Sequence, residues 1–210
     1  ITNIFIMFYD REDGGKQLGR FLSSQRVGVD IILGLPRGGV VTAAALAKIL
    51  QKPLGVLAVR KLGLPGHSEF AVGAIAEGGV EIYSAETLAT LGMVKKDLAG
   101  VLKIEKARLK NYIKQFRRGK LDINNKIVML ADDGIATGLT TKAAILACRK
   151  FGAKKTIVAA PVASASAAHD IGWLADKTYF LITDPLFAAV GQYYQQFNQV
   201  SDKEVQGLLI

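Results

Sequence analysis

Short apolar runs alternate with amphipathic segments along most of the chain. "DIILGLP" (30–36), "LGVLAVR" (54–60), "KIVML" (126–130), "KTIVAAP" (155–161) and "KTYFLIT" (177–183) read as buried strands. Segments 11–24, 39–50, 138–150 and 164–175 read as the helices between them. Val94, Leu98, Val101, Leu102, Leu109, Ile113 and Phe116 recur at helical spacing with basic residues between, so 94–120 reads as a helix, and 80–92 reads as helical as well. The stretch 61–79 is rich in Gly and punctuated by Pro65, which suggests a mobile loop and then a short β-segment. Ser201 and Glu204 have the spacing of a capping box that opens a terminal helix. Five strands joined by helices predict an α/β fold, a mostly parallel sheet in a single domain over 1–210.

Ligands of such sheets bind beyond the carboxyl ends of the strands. The polar motifs fall there: Leu35-Pro36-Arg37-Gly38-Gly39 after one strand, Arg60-Lys61 after the next, Asp132-Asp133 after a third and Asp184 after the last. "DDGIATGLTT" (132–141) leads from a strand through small residues into a helix. The first amides of a helix lack partners and its dipole favours an anion. Gly134 and Gly138 permit close approach, and Thr137, Thr140 and Thr141 add hydroxyls, so the loop around Ala136 and Leu139 reads as a phosphate cradle. It lacks the Gly-Lys-Ser/Thr ending of a nucleotide P-loop. Two adjacent carboxylates at the end of a buried strand are costly unless something uses them. Ribose hydroxyls would, and together with the cradle they describe a ribose 5-phosphate. The plainer alternative is that one Asp caps the following helix.

Charge narrows the partner. There are 27 basic and 18 acidic residues, a net charge of +9, which favours an anion: nucleic acid or a multiply phosphorylated small molecule. No apolar run approaches the roughly 18 residues of a membrane helix, and the start of the chain does not read as a signal peptide. Cys148 is the only cysteine, so an intrachain disulfide or thiolate metal cluster is excluded, and a reducing cytoplasm is the expected setting.

"VMLADDGIATGLT" (128–140) resembles the phosphoribosyl-pyrophosphate (PRPP) signature of type I phosphoribosyltransferases, and "LGLPRGGVVTAAALA", "VRKLGLPGHSEFAVGAIAEGG" and "AVGQYYQQFNQVSDKEV" resemble a bacterial subgroup of that family. The resemblance covers nearly the whole chain. It implies a three-layer α/β domain with a mainly parallel five-stranded sheet, a helical insertion at about 84–120, and a small hood from about 1–25 and 183–210. The implied reaction is phosphoribosyl transfer from Mg-PRPP to a nucleobase-like nitrogen heterocycle, with release of pyrophosphate. Asp132 and Asp133 would serve the ribose and, through water, Mg²⁺. "GLPRGG" (34–39) would be the pyrophosphate loop, with Arg37 and the Gly38 and Gly39 amides as donors and a cis peptide expected around Pro36 and Arg37. Arg60 and Lys61 would begin the mobile catalytic loop. The cradle 136–141 would hold the 5-phosphate, and Phe187 in "TDPLFAAVG" would stack on the base. A homodimer is the family expectation.

Two departures matter. Ala136 stands where hypoxanthine-guanine enzymes carry a proton-handling Asp, and Pro161-Val162-Ala163 replaces the lysine that reads a 6-oxo group. The acceptor is therefore left open. His67 in the Gly-rich loop and His169 in a helix read as surface and structural residues. The basic stretch 94–120 reads as a solvated face, and no aromatic-rich nucleic-acid signature accompanies it. It still keeps open a PRPP- or nucleotide-sensing regulator that binds RNA without turnover, and a hydrolase acting on a ribose phosphate is a third reading.

Overall fold

The computed structural model describes residues 8–117 and 119–209, without the side chains of Ser68 and Glu69. Asp10 caps the first helix, its carboxylate accepting the Asp13 amide at 2.8 Å, and α1 runs over Arg11–Ser24. β1 (Ile31–Gly34), α2 (Gly38–Leu50), β2 (Leu54–Val56), β3 (Val59–Leu64), β4 (His67–Ala76) and β5 (Val80–Tyr83) follow. Next come α3 (Ala85–Thr90) and α4 (Ala99–Phe116), the latter entered through a 3-10 turn at Lys95–Leu98. β6 (Ile127–Ala131), α5 (Leu139–Lys150), β7 (Lys155–Ser164), α6 (Ala165–Gly172), β8 (Lys177–Asp184) and α7 (Asp202–Leu208) complete the order.

The central sheet has five parallel strands in the order β2-β1-β6-β7-β8. Side chains alternate across it with period two. Ile32, Met129 and Ile157 point to one face and pack on Leu18 and Leu22 of α1 and Leu46 of α2. Leu33, Leu130 and Val158 point to the other and pack on Ala144, Ile145 and Cys148 of α5. With both faces covered, the strands are apolar throughout, as a parallel sheet requires. The capping box at Ser201 is present, each partner bonding the other's amide.

Three segments differ from the sequence reading. The run 54–60 is not one strand: it breaks at Leu57 and Ala58, both fully buried, into β2 of the parallel sheet and β3 of a separate sheet. Glu77 causes the break, because its Oε1 accepts the Ala58 amide at 2.7 Å where a neighbouring strand would. The region 61–79, read as loop and short strand, is a hairpin of β3 and β4, extended by β5 into a three-stranded antiparallel sheet. Residues 80–83, read as helical, are its edge strand, and helix begins only after Ser84, whose hydroxyl caps α3. Within the segment read as hood, α1 packs against α2 and the sheet, while Phe8 pairs with Tyr194 as an isolated parallel bridge. The hood residues 1–7 lie outside the described residues.

Candidate functional site

The carboxyl ends of β1 and β6 adjoin, with Gly34 paired to Ala131, so the loops that follow meet. After β6 the chain turns through Asp132–Gly138. Ile135 bridges to β7, and the buried Ser164 hydroxyl donates to the Ala136 carbonyl at 2.7 Å, which pins the loop down. Gly138 caps α5 with φ 70°, a left-handed conformation that favours glycine. The amides of Leu139, Thr140 and Thr141 then open the helix without intrahelical partners. The Thr141 hydroxyl is buried and bonds to none of the described residues.

The two acids part company. Asp132 lines a cleft of about 660 Å³, and its Oδ1 accepts the Asp133 amide at 2.9 Å. Burial and the adjacent Asp133 charge push its carboxyl well above the usual range. Asp133 turns the other way. Its Oδ2 accepts Arg11 Nε at 2.6 Å, and its carbonyl accepts the Tyr194 hydroxyl at 2.5 Å. Arg11 also donates to the Asn198 carbonyl at 2.7 Å and lies 3.6 Å over the Phe197 ring, so it ties α1, the Asp133 loop and residues 194–198 together.

The pyrophosphate loop candidate packs directly on this pair. A Cβ on Gly38 would sit 2.0 Å from Asp133 Oδ2, and one on Gly39 would sit 2.6 Å from Asp132 Oδ1. Only glycine allows the two loops to approach so closely. The peptide between Pro36 and Arg37 is cis, as the family resemblance implied. Pro36 lines the cleft; Arg37 instead reaches toward α7, 3.6 Å from Asp202 Oδ1.

The β3–β4 hairpin and α4 form the opposite wall. Arg60, Lys61 and Gly63–Gly66 of the hairpin line the cleft together with Val101, Ile104, Glu105 and Arg108 of α4, and Thr140 reaches it from α5. Lys61 and Thr140 also line a smaller recess of about 150 Å³ with Gly134, Ala136, Thr137, Gly138 and Leu139. One sequence candidate stands apart: Phe187 stacks on Tyr193 with ring centroids 5.5 Å apart and lines neither cavity. His67, read as a surface residue, is exposed at the start of β4. Arg11, Glu105 and Ser164 were missed by the sequence reading, since no local motif marks them.

An open parallel sheet with glycine loops, a helix N-terminus and cationic side chains gathered at its strand ends is a ligand-binding α/β architecture suited to anions. The phosphoribosyl transferase domain matches residues 9–196, and the chain belongs to that family. Two Mycobacterium tuberculosis proteins, from strains CDC 1551 and H37Rv, are 40% identical to it over 205 residues, 97% of this chain; their names class them provisionally as phosphoribosyl transferases. The chain spans about half, 46%, of their length. The crystal structure of TT1426 from Thermus thermophilus is 35% identical, covers 97% of both chains and superposes with a TM-score of 0.75. That of AQ2163 from Aquifex aeolicus shares the fold at 11% identity, with a TM-score of 0.53 over 88% of this chain and 85% of that one.

Proposed function

We propose that the cleft transfers a phosphoribosyl group from Mg-PRPP to the nitrogen of a nucleobase-like heterocycle and releases pyrophosphate. One observation carries this reading: the glycine loop after β1, the acid-and-cradle loop after β6 and the Arg60-Lys61 strand converge on the cleft and the recess that shares Lys61 and Thr140 with it. The amides and hydroxyls of 137–141 would hold the 5-phosphate, and Asp132 would accept from the ribose hydroxyls. The Gly38 and Gly39 amides, Arg60 and Lys61 would take the charge that builds on pyrophosphate as its bond to the anomeric carbon breaks. The acceptor nitrogen forms the new bond from the opposite face and releases its proton to solvent water. Arg37 would join by leaving Asp202, and Asp133 would hold the loop through Arg11 and so support the ribose contact.

Mg²⁺ fits the donor set in a limited way. No group of three or more His, Cys, Asp or Glu is gathered to hold a metal among the described residues. Of the two acids that line the cleft, Glu105 is paired with Arg60 and Arg108, which leaves Asp132, an arrangement that suits an ion held mainly by substrate oxygens and water. When bound, the ion would neutralise the leaving group, and a cation beside Asp132 would favour its ionised form. Phe187 reaches a base only by leaving the Tyr193 ring. A homodimer and a cytoplasmic setting belong to the same proposal; the lone, buried Cys148 thiol accords with a reducing compartment, and no helix among the described residues is long and apolar enough to cross a membrane.

The test is calorimetric titration with Mg-PRPP, followed by a pyrophosphate-release screen against purines, pyrimidines and other nitrogen heterocycles. Binding with release in at least one case is expected. Absence of PRPP binding would sink the reading, and binding without release from any acceptor would favour the sensing regulator.

A further inference from the structure

The helical insertion reaches into the site. Leu109, Tyr112 and Phe116 of α4 join one buried cluster with Val56 of β2, Ala58 of the break and Leu62 of β3. Glu105 and Tyr112 are seven residues apart, close to two helical turns, and so share the face turned to β3. Glu105 is a carboxylate only 7% exposed. Its Oε2 accepts Arg60 Nε at 2.7 Å, and its Oε1 accepts Arg108 Nη1 at 2.7 Å. The Tyr112 hydroxyl accepts Arg60 Nη1 at 2.9 Å, and the guanidinium carbon of Arg60 lies 5.0 Å from the centre of the Tyr112 ring.

These contacts fix the plane of the Arg60 guanidinium and leave its Nη2 edge without a partner among the described residues. Burial works against its charge, and the bonds to Glu105 and Tyr112 outweigh that and raise its pKa. A purely structural ion pair has no need of the cleft, yet Arg60, Glu105 and Arg108 all line it beside Lys61 and Asp132. Two guanidiniums on one carboxylate leave one positive charge over.

The geometry points to Glu105 and Tyr112 of α4 as positioning residues that hold Arg60 for the pyrophosphate half of the donor. This rests on the phosphoribosyl transfer reading. It makes the insertion part of the leaving-group site, where the sequence suggested a solvated face.

Coulomb's law alone gives the opposite sign, since removing an acid from an anion site tightens anion binding. The full chain would be titrated calorimetrically with inorganic Mg-pyrophosphate and, separately, with ribose 5-phosphate. Glu105→Ala should weaken pyrophosphate about tenfold and Tyr112→Phe about threefold, with ribose 5-phosphate unchanged in both. Unchanged or tighter pyrophosphate binding by Glu105→Ala overturns the assignment. So does an equal loss of both ligands, which marks general distortion. If Glu105→Ala does not fold, Tyr112→Phe, which removes one oxygen, carries the test. A wild-type protein that binds neither ligand refutes the transfer reading itself; one that binds both while the variants keep their pyrophosphate affinity refutes only the role of α4.

Discussion

Glu77→Ala is the perturbation with the largest expected effect on stability. Glu77 is 3% exposed and accepts three hydrogen bonds. Oε1 takes the Ala58 amide at 2.7 Å and Arg117 Nη1 at 2.9 Å, and Oε2 takes Arg117 Nη2 at 2.7 Å. Removing one partner of a buried ion pair costs about 3–5 kcal/mol. Arg117 keeps 17% of its side-chain surface and can regain some water, so the low end applies. The orphaned Ala58 amide adds about 1–3 kcal/mol, with incomplete additivity. The sum is about 4 kcal/mol, or a melting temperature lower by roughly 8–16 °C for a chain of this size. Glu77→Gln keeps a carbonyl oxygen for Ala58 and should lose about 2 kcal/mol. Urea unfolding with unchanged slope measures both, and a cycle with Arg117→Met should give a coupling of about 2 kcal/mol. A loss under about 1 kcal/mol for Glu77→Ala, or no coupling to Arg117, would refute the assignment of the β2–β3 break to this pair.

Three further outcomes are expected. Asp132→Asn should weaken Mg-PRPP binding at least about tenfold in calorimetry while the protein still unfolds cooperatively; unchanged affinity removes Asp132 from the ribose contact. Gly38→Ala places a Cβ 2.0 Å from Asp133 Oδ2 and 2.7 Å from Arg11 Nε, so the carboxylate must move; thermal melts should show a loss of about 1–3 kcal/mol, together with weaker PRPP binding. Burial pushes the Cys148 thiol from 9.0 up to about 12. Below the lower value both folded and unfolded thiols are protonated. Between the two only the unfolded thiol ionises, so stability should fall by about 1.4 kcal/mol per pH unit there. Cys148→Ala should lose that slope, and rapid labelling of the native thiol at pH 8 by an aromatic disulfide would count against the burial argument.

Much of the fold was legible because its signals are local. Period-two packing follows from single strands such as Ile127–Ala131, and the helix start near Gly138 and the Ser201 capping box each fit within a few residues. The candidate site was legible in the same way, as "DDGIATG" and "LPRGG". What escaped acts across distance. Arg11 meets Asp133 from 122 residues away, Arg60 meets Glu105 from 45, and Ser164 meets the Ala136 carbonyl from 28. Each is an ordinary surface-type residue in its own neighbourhood, and only the folded chain shows its partner. The paired acids illustrate the limit well: the sequence treats Asp132 and Asp133 as equivalents, whereas Arg11 and Tyr194 claim one and leave the other to the cleft.

The misread strand 54–60 carries the most consequence for the site. The one glycine of "LGVLAVR", Gly55, lies before the break and no proline marks it, so periodicity alone continues the run as one strand of the parallel sheet. Leu57 still bonds back to the Gly34 carbonyl at 3.3 Å, but Ala58 turns to Glu77, and the chain leaves the sheet. That departure pairs Arg60 with Ile75 and Lys61 with Ala74 in the second sheet and brings both cations to the cleft wall opposite Asp132. Arg117, just beyond α4, holds the other side of Glu77, so the pair that breaks the strand also anchors the helix whose Glu105 orients Arg60. A single buried carboxylate thus couples the stability of the break to the arrangement of the wall proposed to bind the leaving group. Glu77→Gln should therefore weaken pyrophosphate binding as well as lower stability, and an intact pyrophosphate affinity in a destabilised Glu77→Gln protein would show that the wall is held independently of the break.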